Sequence, residues 1–466
     1  MAKQLNNPDL PRQPALTGKV QLSGENLNPT PPKTGRPSRR RRPLVFYLGI
    51  LGPGLIAANA GNDAGGIATY SNMGAQYGYN LIWVMVIIVF ALATVQEMCA
   101  RLGAATGKGL SDLIRENFGV RWTAFVMLAL LIANSLTTIS EFIGIAAAMD
   151  IFGVPPWLSA PIAAIALWFL IARGNYGRVE KIFLLMTLAF FAYIFSVFFG
   201  KPDWGQAAAH AIVPTIKADN NYVQTLMAAI GTTITPYMQL FLQSAVVEKG
   251  VTMRDYKYER AEVYFGSAFS ILIATSIILA CAATIFANSP VVDGVHQGHA
   301  INTAADAALA LGPLLGEYAK YVFAFGLLGA SLLAAGVLPL ATSYSITEAF
   351  GFENGVSRKL NEAPVFWSIF TGLIVISVGI AIIPGILNNV VAILLVIQII
   401  NGMILPFILV AILLLINNKE LMGKYTNGPI YNAIAWTTAI FVGCLSVTLL
   451  VITIFGLFGF NLLPAA

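Results

Sequence analysis

The sequence predicts an all-α polytopic membrane protein of eleven transmembrane helices, arranged as two inverted five-helix repeats with discontinuous helices 1 and 6. Three observations carry this. Of the 466 residues, 57% are hydrophobic and only 11% charged, at a mean hydropathy of +0.75, against roughly 25% charged residues in soluble domains. Apolar runs of about 20 residues recur along nearly the whole chain, each long enough to cross a hydrocarbon core as a helix. Two of these runs, five spans apart, are interrupted near their middle by residues that a helix tolerates poorly.

In chain order, residues 1–42 are polar and Pro-rich, contain no signal-peptide core, and end in GRPSRRRRP. They read as a disordered basic tail acting as a topology signal and anionic-lipid anchor. Spans follow at about 43 to 71, 81 to 104, 122 to 147, 157 to 172 and 179 to 200, the first repeat (43–200). The second repeat (201–417) holds spans at about 222 to 247, 262 to 287, 318 to 347, 364 to 384 and 387 to 416. A last span at 430 to 457 lies in the carboxyl-terminal segment (418–466). Placing the arginine tail in the cytoplasm puts all but Lys201, Lys217 and Lys320 of the 27 Lys and Arg on the cytoplasmic side. The amino terminus is then inside and the carboxyl terminus, NLLPAA, outside, as in a multi-pass protein of the cell membrane. Cys99, Cys281 and Cys444 sit singly in apolar runs and read as small core hydrophobes.

The first span carries AGNDAGG, with Gly61, Gly65 and Gly66 around Asp63; the sixth carries Gly231 and Pro236. In a helix interior glycine costs about 1 kcal/mol and proline about 3. A repeat of five spans must invert in the membrane, so the two breaks face each other at the midplane, where freed backbone groups form a binding site. That is the architecture of an alternating-access transporter. A carboxylate at the bilayer centre costs at least about 2.5 kcal/mol, and no span core contains a Lys or Arg to pair with Asp63. A cation brought as substrate supplies the partner, with unwound glycine carbonyls completing a hard, all-oxygen site.

The first span, GPGLIAANAGNDAGGIATYS, resembles that of the Nramp (natural resistance-associated macrophage protein) family of divalent metal transporters. The family's Asp-Pro-Gly-Asn motif corresponds to Asp63, Ala64, Gly65 and Gly66, and its Met-Pro-His motif to Thr235, Pro236 and Tyr237. Further similarities are ARLGAATGKGLSDLIRENFG, SEFIG, LFLQSAVV and QIINGMILPF, so the resemblance covers about residues 44 to 415. It implies a LeuT-like fold and uptake of divalent metal.

The departures fall at positions that contact the metal in the family. The methionine thioether that favours soft transition metals is Thr235, and the Asn of the first motif is Gly66, which leaves room. One carboxylate with several neutral oxygens suits an ion that keeps part of its water, as Mg2+ does. The pattern resembles the Nramp-related magnesium transporter branch, which also carries Mn2+. Family histidines are replaced by Tyr237 and Gln243, a family Asp by Thr138, while a family Glu is kept as Glu141. With the histidines gone, transport is expected to be uncoupled from protons, with Glu141 in a structural role.

The expected metal set is therefore Asp63, Gly66, Thr232, Thr235 and Gln398, supported or gated by Asn59, Gly65, Pro236, Tyr237 and Glu141. Thr232 occupies the place where the family offers a backbone carbonyl, and Gln398 matches a family Gln that approaches the ion. Glu97, four residues before Arg101, reads as a structural ion pair; His210, His296 and His299 read as surface loop residues. No phosphate loop, nucleophile elbow or HExxH is present, so no enzyme activity and no cofactor are expected beyond Mg2+ or Mn2+ as substrate. The expected partners are divalent ions and the lipid bilayer, with no nucleic acid, and the protein is expected to be a monomer. The alternatives are a proton-coupled Mn2+ transporter of the family, or an amino-acid transporter of LeuT-like fold.

Overall fold

A computed structural model of the chain describes residues 60–173, 191–217, 219–292, 295–353, 355 and 358–457. Asn59, the tail 1–42, the first half of span 1 and the start of span 5 lie outside these residues. The regular structure of the described residues is helical, apart from a two-residue antiparallel pairing of Val291–Val292 with Val295–His296. The longer helices are α1 (Ala64–Tyr77), α2 (Ile82–Thr106), α3 (Leu110–Ile151), α4 (Pro156–Ala172), α5 (Phe191–Gly200), α6 (Trp204–Ile212), α7 (Asn220–Thr233), α8 (Pro236–Glu248), α9 (Tyr256–Cys281), α10 (Ala319–Phe350), α11 (Pro364–Ala381), α12 (Val390–Asn417) and α13 (Pro429–Leu457).

Seven helical stretches among the described residues are long and apolar enough to cross a membrane, and α4 and α5 are shorter apolar helices. The remaining two of the eleven spans are those expected to be broken. α1 is the second half of span 1, and α7 with α8 make up span 6. Exposed large side chains such as Phe90 on α2, Phe198 on α5, Val375 on α11 and Val447 on α13 form an apolar outer surface that a bilayer would cover. Cys444 on α13 is exposed, which corrects the reading of all three cysteines as core residues; only Cys99 and Cys281 are buried.

Local chemistry sets the helix ends. α1 begins at Asp63, whose carboxylate accepts from the Gly66 amide at 2.7 Å, and α7 begins at Asp219, bonded to the Tyr222 amide, both N-caps. α8 opens with Pro236 in its first turn, where the missing N–H is no loss. α3 is in fact two helices. Gly119 has φ +78°, a left-handed conformation that glycine adopts without penalty, so 110–118 forms a separate short helix ahead of the span. The third span accordingly begins at about residue 120.

Helices equivalent under the five-span repeat pack against one another: α1 on α7, α2 on α9, and α3 on α10, the last the most extensive pairing. Such mutual packing is what a pseudo-two-fold axis through these pairs produces. α7 also lies tight against α12. A Cβ at Gly231 would stand 2.1 Å from the Gln398 carbonyl and 2.5 Å from the Gly402 amide. Gly231 is thus not a helix break, as the sequence suggested, but a close-packing residue inside α7 that lets two backbones meet; the interruption is the two residues that follow α7, Ile234 and Thr235.

Candidate functional site

The break in span 1 is a short helical turn, Ala60–Asn62, followed by Asp63 in extended conformation (φ −71°, ψ −174°). The break in span 6 is the pair Ile234 and Thr235 between α7 and α8. The two meet directly: a Cβ at Gly61 would lie 3.1 Å from the Thr232 carbonyl oxygen, and one at Gly66 3.2 Å from the Thr232 hydroxyl. Gly65 and Gly66 are not themselves unwound. They are the second and third residues of α1, and their lack of side chains serves close approach. The position of a Gly66 Cβ is only 2.0 Å from the Gly61 carbonyl oxygen, so the room left by Gly66 is filled by that carbonyl and by Thr232. The position of a Gly65 Cβ is 1.8 Å from Gln398 Nε2 and 2.7 Å from its Cδ, so the Gln398 amide meets the head of α1 by its Nε2 end.

Asp63 is 1% exposed. Its Oδ1 caps α1, while Oδ2 is buried without a hydrogen-bond partner, and among the described residues no Lys or Arg pairs with it. Near it are other buried oxygens that lack hydrogen-bond partners: the Thr232 hydroxyl, beside Gly66, and Asn62 Oδ1. Buried polar atoms are rarely left so, which makes this the candidate site. Glu141, fully buried on α3, accepts from the Ala64 amide at 3.3 Å and from the Ser140 hydroxyl at 3.2 Å. Two carboxylates therefore share the amino-terminal end of α1, where the helix dipole favours negative charge.

Of the residues expected from sequence, the fold brings Asp63, Gly65, Gly66, Thr232, Gln398 and Glu141 to the meeting of the breaks. Thr235 is the N-cap residue of α8, followed by Pro236 and by Tyr237, which packs with Met238 on α10 residues Ala334 and Leu338. Asn59 lies outside the described residues. Gln243 is tied away by its amide to the Lys108 carbonyl at 2.9 Å. Glu97 forms the anticipated pair with Arg101 at 3.1 Å and also contacts the Tyr256 hydroxyl. His296 and His299 are exposed in the loop between α9 and α10, whereas His210, expected in a loop, is half-buried in the last turn of α6, where the Asp203 N-cap starts a helix. No group of three or more His, Cys, Asp or Glu gathers among the described residues, so any ion at the breaks meets one or two carboxylates and neutral oxygens.

Two residues escaped the sequence reading. Asn62 adjoins Asp63, and its amide donates to the Ser270 hydroxyl at 3.2 Å, joining the break to α9. Asn401, one turn after Gln398, donates to Gln398 Oε1 at 3.0 Å and to the Thr137 hydroxyl at 2.8 Å. Neither carries a charge that would make it conspicuous in an apolar run, and each acts through a helix distant in sequence.

Comparison with known proteins gives the same picture over most of the chain. Residues 54–452 match the family model described as natural resistance-associated macrophage protein-like. A divalent metal cation transporter MntH of Yersinia pestis is 31% identical over 82% of this chain and 90% of its own; that of Caldanaerobacter subterraneus subsp. tengcongensis is 25% identical over 90% and 98%. Among solved structures, a mutant of the Eremococcus coleocola manganese transporter superposes with a TM-score of 0.71 at 20% identity, covering 90% of each chain. MhsT in complex with L-phenylalanine gives 0.54 at 14% identity, covering 86% of this chain and 98% of that one. The fold is thus the LeuT-like one, and the chain is a member of the Nramp family of membrane proteins.

Proposed function

We propose that the protein carries hard divalent cations, Mn2+ and Mg2+, across the membrane by alternating access, with the ion held where the two helix breaks meet. The single observation that carries this is the buried, unpartnered Oδ2 of Asp63 beside the end of α7. In that reading Asp63 supplies the charge, and the Thr232 and Thr235 oxygens supply neutral ligands. Gln398 borders the ion at Gly65, and the ion keeps waters where the protein offers no further oxygen. Such a donor set contains no sulfur and binds oxygen-seeking ions; the Met238 thioether, whose methyl lies beside the Gly61 turn, has its sulfur engaged by the Gln96 amide at 3.9 Å. Mn2+ is supported by the manganese transporter among the similar structures; Mg2+ rests on Thr235 standing where the family has a thioether. The membrane potential suffices as driving force: at about 2.3 kcal/mol per charge per 100 mV, a divalent cation gains roughly 4.6 kcal/mol.

Proton-coupled Mn2+ transport is the second reading, and the position of Glu141 favours it. A buried carboxylate bonded to Ala64, next to Asp63, is a group to which a proton could pass when the ion binds. Uptake into proteoliposomes decides both questions. Mn2+ flux inhibited by Mg2+ but not by excess Cd2+ fits the oxygen-only site, and Cd2+ outcompeting Mn2+ contradicts it. Lumenal acidification during uptake, abolished in Glu141→Gln, establishes the coupled mechanism; flux without acidification establishes the uncoupled one. Amino-acid uptake insensitive to both metals would displace the metal reading altogether.

A further inference from the structure

The Gln398 side chain faces the head of α1 with one particular end of its amide, and a chain of hydrogen bonds fixes which. The Thr137 hydroxyl on α3 donates to the Ala133 carbonyl at 2.9 Å, so its oxygen can only accept from Asn401. Asn401 must therefore offer its NH2, which reaches Thr137 at 2.8 Å and Gln398 at 3.0 Å. A donor there requires Gln398 to answer with Oε1. The other end of that amide, Nε2, is left over Gly65, buried and without a partner.

We infer that Asn401 is a positioning residue: anchored on Thr137, it holds Gln398 with its NH2 turned to Gly65, so that Gln398 Oε1 reaches a cation only by giving up its bond to Asn401. The inference rests on the cation site proposed above and deepens it. A turned NH2 carries its positive end toward the break and opposes a cation, whereas the carbonyl would ligate one. Asn401 thereby sets the affinity from a position that never touches the ion. It also couples ion binding on α1 and α12 to α3, because the Gln398 amide cannot invert without disturbing the Asn401–Thr137 pair.

The test is a double-mutant cycle read as Mn2+ binding to the purified full chain. Asn401→Leu is close in size and leaves the Thr137 hydroxyl on its Ala133 carbonyl. It frees Gln398 to turn, and tightens Mn2+ binding roughly fivefold, the equivalent of one neutral hydrogen bond. In a Gln398→Ala background the same substitution changes Kd by less than about twofold, because its only route to the ion is gone. If Asn401→Leu is poorly folded, Asn401→Asp, which can only accept and so inverts the relay, is run through the same cycle. Its added charge acts in both backgrounds and cancels in the difference. No change in Kd, or a change that persists without the Gln398 amide, overturns the role of Asn401. Loss of Mn2+ binding in the parent, or binding indifferent to Asp63→Ala, is a different result: it overturns the site itself and the inference with it.

Discussion

Adding one methyl group at each of the two adjacent glycines of α1 should separate the stability of the break from its function. At Gly66 a Cβ would stand 2.0 Å from the Gly61 carbonyl oxygen and 3.0 Å from its carbon, both backbone atoms of the turn that makes the break. Relief requires the turn to move by more than an ångström, the kind of overpacking that costs about 1–3 kcal/mol, against about 1 kcal/mol gained by alanine over glycine in a helix. At Gly65 the obstacle, at 1.8 Å, is the far end of the Gln398 side chain. That amide can rotate away, losing its bond to Asn401, about 1 kcal/mol, which the helix propensity offsets. Gly66→Ala should therefore cost a net of about 1 kcal/mol and lower the thermal midpoint in detergent by about 1–2 °C, since the shift is roughly 2–4 °C per kcal/mol for chains of 150–250 residues and less for a longer one. Gly65→Ala should leave the midpoint nearly unchanged while altering the Mn2+ concentration that half-saturates uptake. Equal loss of stability in both variants, or in neither, would refute the geometry of the break argued here.

Asp63→Ala should abolish Mn2+ and Mg2+ uptake in proteoliposomes without lowering the thermal midpoint, because an unpaired carboxylate costs at least about 2.5 kcal/mol in the bilayer centre. Asp63→Asn, which keeps the bond to the Gly66 amide, should fold at least as well and be equally inactive; retained flux in either removes the site. Thr235→Met places a thioether beside the ion and should improve Cd2+ competition against Mn2+ by roughly tenfold, since soft ions prefer sulfur; unchanged competition would mean that Thr235 does not face the ion. Arg101→Ala leaves Glu97 with only Tyr256 at a nearly buried position and should cost about 3 kcal/mol, the low end for breaking a buried pair. Thermal unfolding checks this, and the Glu97→Gln, Arg101→Met double variant should recover most of the loss.

The sequence displays its spans because burial in lipid demands continuous apolar helices, and it displays Asp63 because a charge in such a run has few reasons to exist. It could not say which glycines bend the chain. Gly231 and Gly66 look equally disruptive in sequence, yet both are helical and serve contacts with α12 and with the Gly61 carbonyl. The reason is that glycine signals a missing side chain, not a conformation, and what fills the gap is decided by a helix far away in the chain. The same limit hid Asn401 and Asn62. An uncharged amide in an apolar helix acquires meaning only once Thr137 or Ser270 is across from it.

The break explains how the Asp63 carboxylate persists where, among the described residues, no Lys or Arg pairs with it. Asp63 divides its oxygens: Oδ1 serves the protein by closing the first turn of α1, and Oδ2 is left over. Capping and the helix dipole return about 0.3–2 kcal/mol, which falls short of the cost of the buried charge, so the carboxylate alone remains under-stabilised. The facing helix end has the opposite polarity. α7 terminates at Thr233, and its last carbonyls, with Thr232 among them at the Gly61 turn, have no following helical amides to accept from. An amino-terminal helix end holding an anion therefore meets a carboxyl-terminal end rich in unsatisfied carbonyls, and both present negative charge to the same point. Neither end can satisfy the other. In the function proposed above a dication satisfies both, and because one end belongs to each repeat, the ion would stabilise the pair only while the two repeats face each other across it.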